Sequence, residues 1–193
     1  MKNVNIMIVG VGGQGTLLAS RILGNAILSL GYDVKVSEVH GMSQRGGSVV
    51  TYVKYGDKVY SPVIDKGEAD IILAFEQLEA LRALPYLKVG GKMIANNQRI
   101  NPMPVITGAA AYPEGIMDTL AAKVDLTALD ALAMAKQAGN AKAVNVVLMG
   151  VMAKNTSIAY ETWIQAVREC VPAKFLDINL RAFDAGYHYQ KEA

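Results

Sequence analysis

Cysteine is almost missing from this 193-residue chain: Cys170 stands alone. One thiol cannot close an internal disulfide. An iron–sulfur cluster takes about four protein ligands, so this chain cannot hold one by itself. Histidine is equally scarce, and the two present, His40 and His188, lie far apart with no metal-ligand spacing around them. Charge is thin as well, at 19% of residues with a net of +2, below the roughly 25% of an average globular chain. No Lys/Arg run interleaved with aromatics occurs, which argues against nucleic acid as a partner. No apolar stretch nears the roughly 20 residues of a membrane span. The opening "MKNVNIMIVG" is too short and too soon broken by glycine to serve as a signal peptide. Together these absences point to a cytoplasmic protein. Apolar residues, by contrast, make up 52% of the chain. That share suits either a well-buried α/β core or a surface built to meet other subunits. The length suits one domain over residues 1–193, which buries roughly 70% of the surface of its unfolded chain.

Short apolar runs alternate with helical patterns. A strand is expected at Val4–Val9, continuous and apolar like one buried on both faces, and a helix at Gln14–Leu30 with Gly31 as its stop. "YDVKVSEV" reads as a strand and "HGMSQRGGS" as a loop. "VVTYVKYGDKVYSP" reads as a β-hairpin turning at Gly56-Asp57. "ADIILAF" and "GGKMIAN" read as buried strands around the helix "EQLEALRALPYL". "NPMPVITG" is a proline-marked connection or a short strand. The second half is helical apart from a last strand at "VDLTA", and "AKAVNVVLMGVMAKN" within it is apolar enough to be buried. Strands alternating with helices imply an α/β fold, a Rossmann-like three-layer domain with a mostly parallel sheet, an inserted β-hairpin and a helical C-terminal portion.

The first strand runs into Gly10, Gly12, Gly13 and Gly15, with Gln14 and Thr16 among and after them. Gly10, Gly12 and Gly15 fit G-x-G-x-x-G between a strand and a helix, where glycines permit the tight turn, close backbone approach to a phosphate, and helix–strand packing. The helix N-terminus offers free N–H groups and Thr16 a hydroxyl. A dinucleotide site would want an acidic residue at the end of the second strand. Glu38 is the candidate, although it comes a few residues late. An adenylating enzyme is a further reading of "GVGGQG", but such proteins carry a reactive cysteine and paired C-x-x-C zinc sites that this chain lacks. The turn could also merely pack strand against helix.

A second glycine-rich loop follows the second strand. Its Arg45, Gly46 and Gly47 would present a guanidinium and backbone amides to one anion. Loops after the first two strands of a parallel sheet open at the same edge, so both could face one crevice; equally, the second could be a solvated surface turn. The stretches "GVGGQGTLLASRILG", "SEVHGMSQRGGSV", "GNAKAVNVVLMG" and "NLRAFDAGY", in that order, resemble the gamma-subunit family of the 2-oxoacid:ferredoxin oxidoreductases, and the resemblance spans nearly the whole chain. It is nearest to the small subunits of the indolepyruvate-specific branch. The resemblance implies one gamma-type domain that is active only within a larger enzyme. That enzyme would turn an aryl 2-oxo acid, CoA and oxidised ferredoxin into acyl-CoA, CO2 and reduced ferredoxin. Thiamine diphosphate, magnesium and the clusters would sit in a large partner subunit. This chain would add architecture and a share in binding the CoA phosphates. Isolated, it could self-associate through apolar surface. A free-standing NAD(P)-dependent oxidoreductase and a simple phosphate- or nucleotide-binding module are the alternatives.

Single residues leave choices open. His40 is either a proton shuttle or a loop histidine bonded locally. Cys170 is a buried thiol or a nucleophile. The methionines form no cofactor stripe and serve as core filler or interface. Asn145, an amide in an apolar helix, either bonds across to a glycine loop or is partly exposed. Tyr187, His188 and Tyr189 make an interface edge or a frayed end. Part of the helical second half, which holds the nearly all-apolar "AVNVVLMGVM", is expected to pack on the large subunit.

Overall fold

The computed structural model of the chain describes residues 3–41 and 46–190. It is a six-stranded sheet between two helical layers. The strands are β1 (Val4–Val11), β2 (Asp33–His40), β3 (Ser48–Gly56), β4 (Ala69–Ala74), β5 (Leu87–Asn96) and β6 (Asp125–Leu129), and they lie in the order β2-β3-β1-β4-β5-β6. β1, β4, β5 and β6 pair in parallel. β3 runs against both β1 and β2, so five strands point one way and one points back.

The strands read as fully apolar are indeed covered on both faces. Ile6 and Ile8 of β1 face one core, and Met7 and Val9 face the other. The larger core is roofed by α1 (Thr16–Ser29), α5 (Ala131–Gln137), α6 (Val144–Lys154), α7 (Tyr160–Cys170) and α8 (Leu176–Tyr187). The smaller lies under α2 (Gln77–Ala83) and α4 (Ile116–Ala121), with the four-residue α3 (Met103–Ile106) at its rim. α6 and α8 cross with their backbones in contact, Gly150 against the Phe183 carbonyl and Gly186 against the Val147 carbonyl. A side chain at either glycine would meet main chain.

Two expectations are corrected. The hairpin exists, but its strands are β2 and β3, not strands on either side of Gly56-Asp57. Past Gly56 no strand forms; the Val59 N–H instead donates to Asp33 Oδ2 (2.9 Å), so the second Val/Tyr run lies against the end of β2 without pairing. "MPVI" in the proline-marked connection is the helical turn α3, not a strand; Pro104 sits in its first turn, where a missing N–H costs nothing. α6 is buried from Asn145 to Ala153 inside its own chain, so any contact of the helical second half with a partner subunit would fall to its other helices.

Candidate functional site

The turn after β1 is held by its own side chains. Gly13 (φ +100°) and Gly15 (φ +83°) adopt the left-handed conformation that glycine alone enters at no steric cost. Gln14 folds back over Gly10: its Oε1 accepts the Val11 N–H (2.7 Å), and its Nε2 donates to the Phe75 carbonyl (3.0 Å) and to Gln98 Oε1 (3.3 Å). A Cβ on Gly10 would lie 3.0 Å from that Oε1 and 3.0 Å from Phe75 Cβ. Gln14 therefore ties the end of β1 to the end of β4, and its polar atoms are used by the fold. The Gly12 N–H donates to the Gly47 carbonyl (2.8 Å), and the Gly46 N–H to the Gly12 carbonyl (3.4 Å). The two glycine-rich loops thus continue the β1–β3 ladder beyond the sheet. Arg45 lies outside the described residues.

A crevice of about 380 Å³ opens beside this pair of loops, walled by Gly12, Gly13, Gly15 and Thr16 on one side and by Glu38 and His40 on the other. No side chain caps α1, so the N–H groups of its first turn have no acceptor within the helix and its positive dipole end faces the opening. Thr16 is buried at the mouth. Glu38 accepts the hydroxyl of buried Thr51 (3.2 Å), while His40 Nδ1 lies 3.1 Å from the Gly41 carbonyl, a local bond. The arrangement can hold an anion at the helix end and a hydroxyl-bearing group at Glu38.

Asn145 reaches across from α6. It is 5% exposed, and its Nδ2 donates to the Gly15 carbonyl (3.2 Å) while its Oδ1 accepts the Val146 N–H (3.0 Å). The amide inside an apolar helix was the signal that pointed to it. Other residues at this sheet edge escaped the sequence reading. Buried Asn96 donates to the Phe75 carbonyl (3.2 Å) and to Gln98 Oε1 (3.1 Å), and accepts the Ala131 N–H (3.1 Å). Across the loops a second hollow, of about 270 Å³, is floored by Glu76 and Glu79. Glu76 caps α2 by accepting the Glu79 N–H (3.0 Å), and also accepts the Ile100 N–H (3.0 Å) and the Tyr112 hydroxyl. Burial first, and that carboxylate second, push the Tyr112 hydroxyl well above the ordinary tyrosine range. Glu79 accepts the Ser48 hydroxyl (2.6 Å) and pairs with Arg82 (2.6 Å). The acidic residues that open "EQLEAL" directly after a buried strand are a helix-start signal that could have found this pair.

The family model for pyruvate ferredoxin/flavodoxin oxidoreductase matches residues 5–189. The chain belongs to that family. It is 44% identical to the indolepyruvate oxidoreductase subunit IorB of Thermococcus kodakarensis, over all of this chain and 98% of that one. The gamma subunit of the keto/oxoacid ferredoxin oxidoreductase from Geobacter sulfurreducens PCA superposes with a TM-score of 0.72 at 26% identity, covering 95% and 96% of the two chains. The more distant ketoisovalerate oxidoreductase subunit VorA of Methanothermobacter thermautotrophicus is 28% identical over 98% of this chain, yet the match covers only 37% of VorA. There the same unit forms part of a longer polypeptide. The chain is thus a small oxidoreductase subunit of this family.

In this subunit Cys170 is half-buried at the end of α7, and burial pushes its thiol up, which keeps it protonated and unreactive near neutrality. Among the described residues no group of three or more His, Cys, Asp or Glu side chains converges as a metal site, and no helix is long and apolar enough to cross a membrane. The C-terminal aromatics pack inward: Tyr187 stacks edge-on against Tyr160 (4.8 Å), and the Tyr189 hydroxyl donates to the Ala128 carbonyl of β6 (2.9 Å).

Proposed function

We propose that this chain is the small subunit of an indolepyruvate:ferredoxin oxidoreductase. The complex decarboxylates an aryl 2-oxo acid to its acyl-CoA and reduces ferredoxin, and this chain holds a phosphate of CoA. The observation that carries the reading is the crevice beside the first glycine-rich loop, with the uncapped N-terminus of α1 opening onto it. The amides of Gly13 and Gly15, the first turn of α1 and the Thr16 hydroxyl suit a phosphate, and Arg45 supplies fixed charge to the same anion. Glu38 suits a ribose hydroxyl. Gly10 and Gln14 shape the turn and Gly12 walls the crevice, while Gly46 and Gly47 line the second hollow. The residues of this chain do not fit thiamine diphosphate with magnesium or an iron–sulfur cluster: acidic ligands do not converge among the described residues, and the single thiol is half-buried. Those groups belong to a larger partner subunit. The similarity to IorB supports the indolepyruvate branch.

The test is steady-state kinetics on the complex reconstituted with its large subunit. A charge-assisted contact contributes about 1.5–3 kcal/mol, so Arg45→Ala raises the KM for CoA roughly 10- to 100-fold. The constants for the 2-oxo acid and ferredoxin stay put. An unchanged KM for CoA in an intact complex removes CoA from the crevice.

A further inference from the structure

The four parallel strands of the sheet end on one closed ring of amides. The side-chain NH2 of Gln14 donates to the Phe75 carbonyl (3.0 Å) and to Gln98 Oε1 (3.3 Å). The side-chain NH2 of Asn96 donates to the same two oxygens, at 3.2 and 3.1 Å. An amide NH2 carries two protons and a carbonyl oxygen two lone pairs, so these two donors and two acceptors satisfy one another. The other ends of the donating amides are engaged as well. Gln14 Oε1 accepts the Val11 N–H (2.7 Å), and Asn96 Oδ1 accepts the Ala131 N–H (3.1 Å). Val11 closes β1, Phe75 follows β4, Asn96 closes β5, and Ala131 opens α5 just past β6.

In an open α/β sheet, ligands settle beyond the strand ends where neighbouring crossovers leave toward opposite faces. Here that place lies between β1 and β4, because α1 packs on the larger core and α2 on the smaller. The amide ring occupies it. The ring therefore fixes the course of the chain from Val11 into α1, and with it the direction of the Gly13 and Gly15 amides at the crevice wall. Gln98 decides the polarity of the ring, since its one oxygen takes a proton from both amides. Turning any of the three side chains round would set donor against donor or acceptor against acceptor.

We propose that Gln98 is a positioning residue for the crevice: through Gln14 it sets the glycine turn in its anion-receiving form before the anion arrives. Donors set in advance need no ordering on binding, which favours affinity. For the identity of the anion the inference rests on the CoA reading above. The test changes hydrogen-bond polarity at constant shape and charge. Gln98→Glu keeps an oxygen for both amides. Gln14→Glu sets a carboxylate against the Phe75 carbonyl and Gln98 Oε1, and Gln98 cannot turn to meet it because Asn96 needs the same oxygen. Both variants add one negative charge at the same place. Gln98→Met removes the acceptor with little change of shape. Amide exchange in the full chain is followed by NMR, and CoA kinetics are measured on the complex with the large subunit. In Gln98→Met the Val11 and Ala131 amides, far apart in sequence, both exchange roughly 10-fold faster, and in Gln14→Glu the Val11 amide does. Both variants raise the KM for CoA roughly 10-fold with kcat at saturating CoA unchanged, whereas Gln98→Glu stays within about threefold of wild type in every readout. Wild-type exchange at Val11 in Gln98→Met and Gln14→Glu overturns the positioning role. So does a Gln98→Glu variant that behaves like Gln14→Glu, because charge and not polarity would then be at work. If exchange responds but only Arg45→Ala moves the CoA constant, the form of the turn does not matter to the anion and the proposal is again overturned. If exchange responds and neither Arg45→Ala nor the ring variants move that constant, Gln98 does set the turn and the CoA reading alone falls.

Discussion

Replacing Gly15 with alanine separates two roles of that glycine. Its φ of +83° costs an alanine about 1–2 kcal/mol. The new Cβ would also lie 2.6 Å from Asn145 Nδ2. Asn145 must then swing away, giving up its bond to the Gly15 carbonyl and leaving a buried amide short of a partner, at about 1–3 kcal/mol. Gly15→Ala is therefore expected to destabilise the chain by about 2–5 kcal/mol, a large share of a domain's usual roughly 5–15 kcal/mol. In an Asn145→Ala background there is no amide left to displace, and the same substitution costs only the backbone share, about 1–2 kcal/mol. Urea denaturation of the wild type, both single variants and the double variant closes the cycle. Equal costs of Gly15→Ala in the two backgrounds would refute the reasoning, because the amide would then not be what holds the loop to α6.

Other expectations follow from the same structure. Gly186→Ala drives a methyl into the Val147 carbonyl and costs at least about 3 kcal/mol, more than an ordinary overpacked core position; a melting temperature within a degree of wild type would refute the close crossing of α6 and α8. Tyr55 and Tyr112 are both raised above the ordinary tyrosine value, chiefly by burial. Above pH 10 the unfolded chain therefore releases protons that the folded chain keeps, and stability falls as pH rises, by up to about 1.4 kcal/mol per unit for each tyrosine. Urea midpoints at pH 9 and 11 measure that slope, and a Tyr112→Phe variant with the wild-type slope would remove Tyr112 from the account.

The first strand, its glycine turn and the buried strands at "ADIILAF" and "GGKMIAN" were legible because each signal is local. A run of apolar residues ends in glycine, and the physics that shapes it lies within a dozen residues. Pairing is not local. The Val/Tyr alternation after residue 48 continues past Gly56, and nothing in the run itself says that β3 will seek β1 and β2 instead of the chain just beyond it. The apolar stretch of α6 was rightly read as buried. What it is buried against is decided by Gly150 and Gly186, which let another helix of the same chain come within backbone contact. At the crevice the glycines were visible and the use of their neighbours was not. Gln14 sits in the glycine turn, and that its amide bridges the ends of two strands depends on a residue 61 positions away. Asn145 was visible because an amide in apolar company must be paid for by a partner.

The crossing of α6 and α8 also sets an order in time. α6 leaves the ribosome before the helix that covers it exists. At roughly 5–20 residues per second, its apolar face waits a few seconds for α8 to be made. Until then the larger core has no lid, so a chain truncated ahead of α8 exposes apolar core surface and is not a smaller subunit.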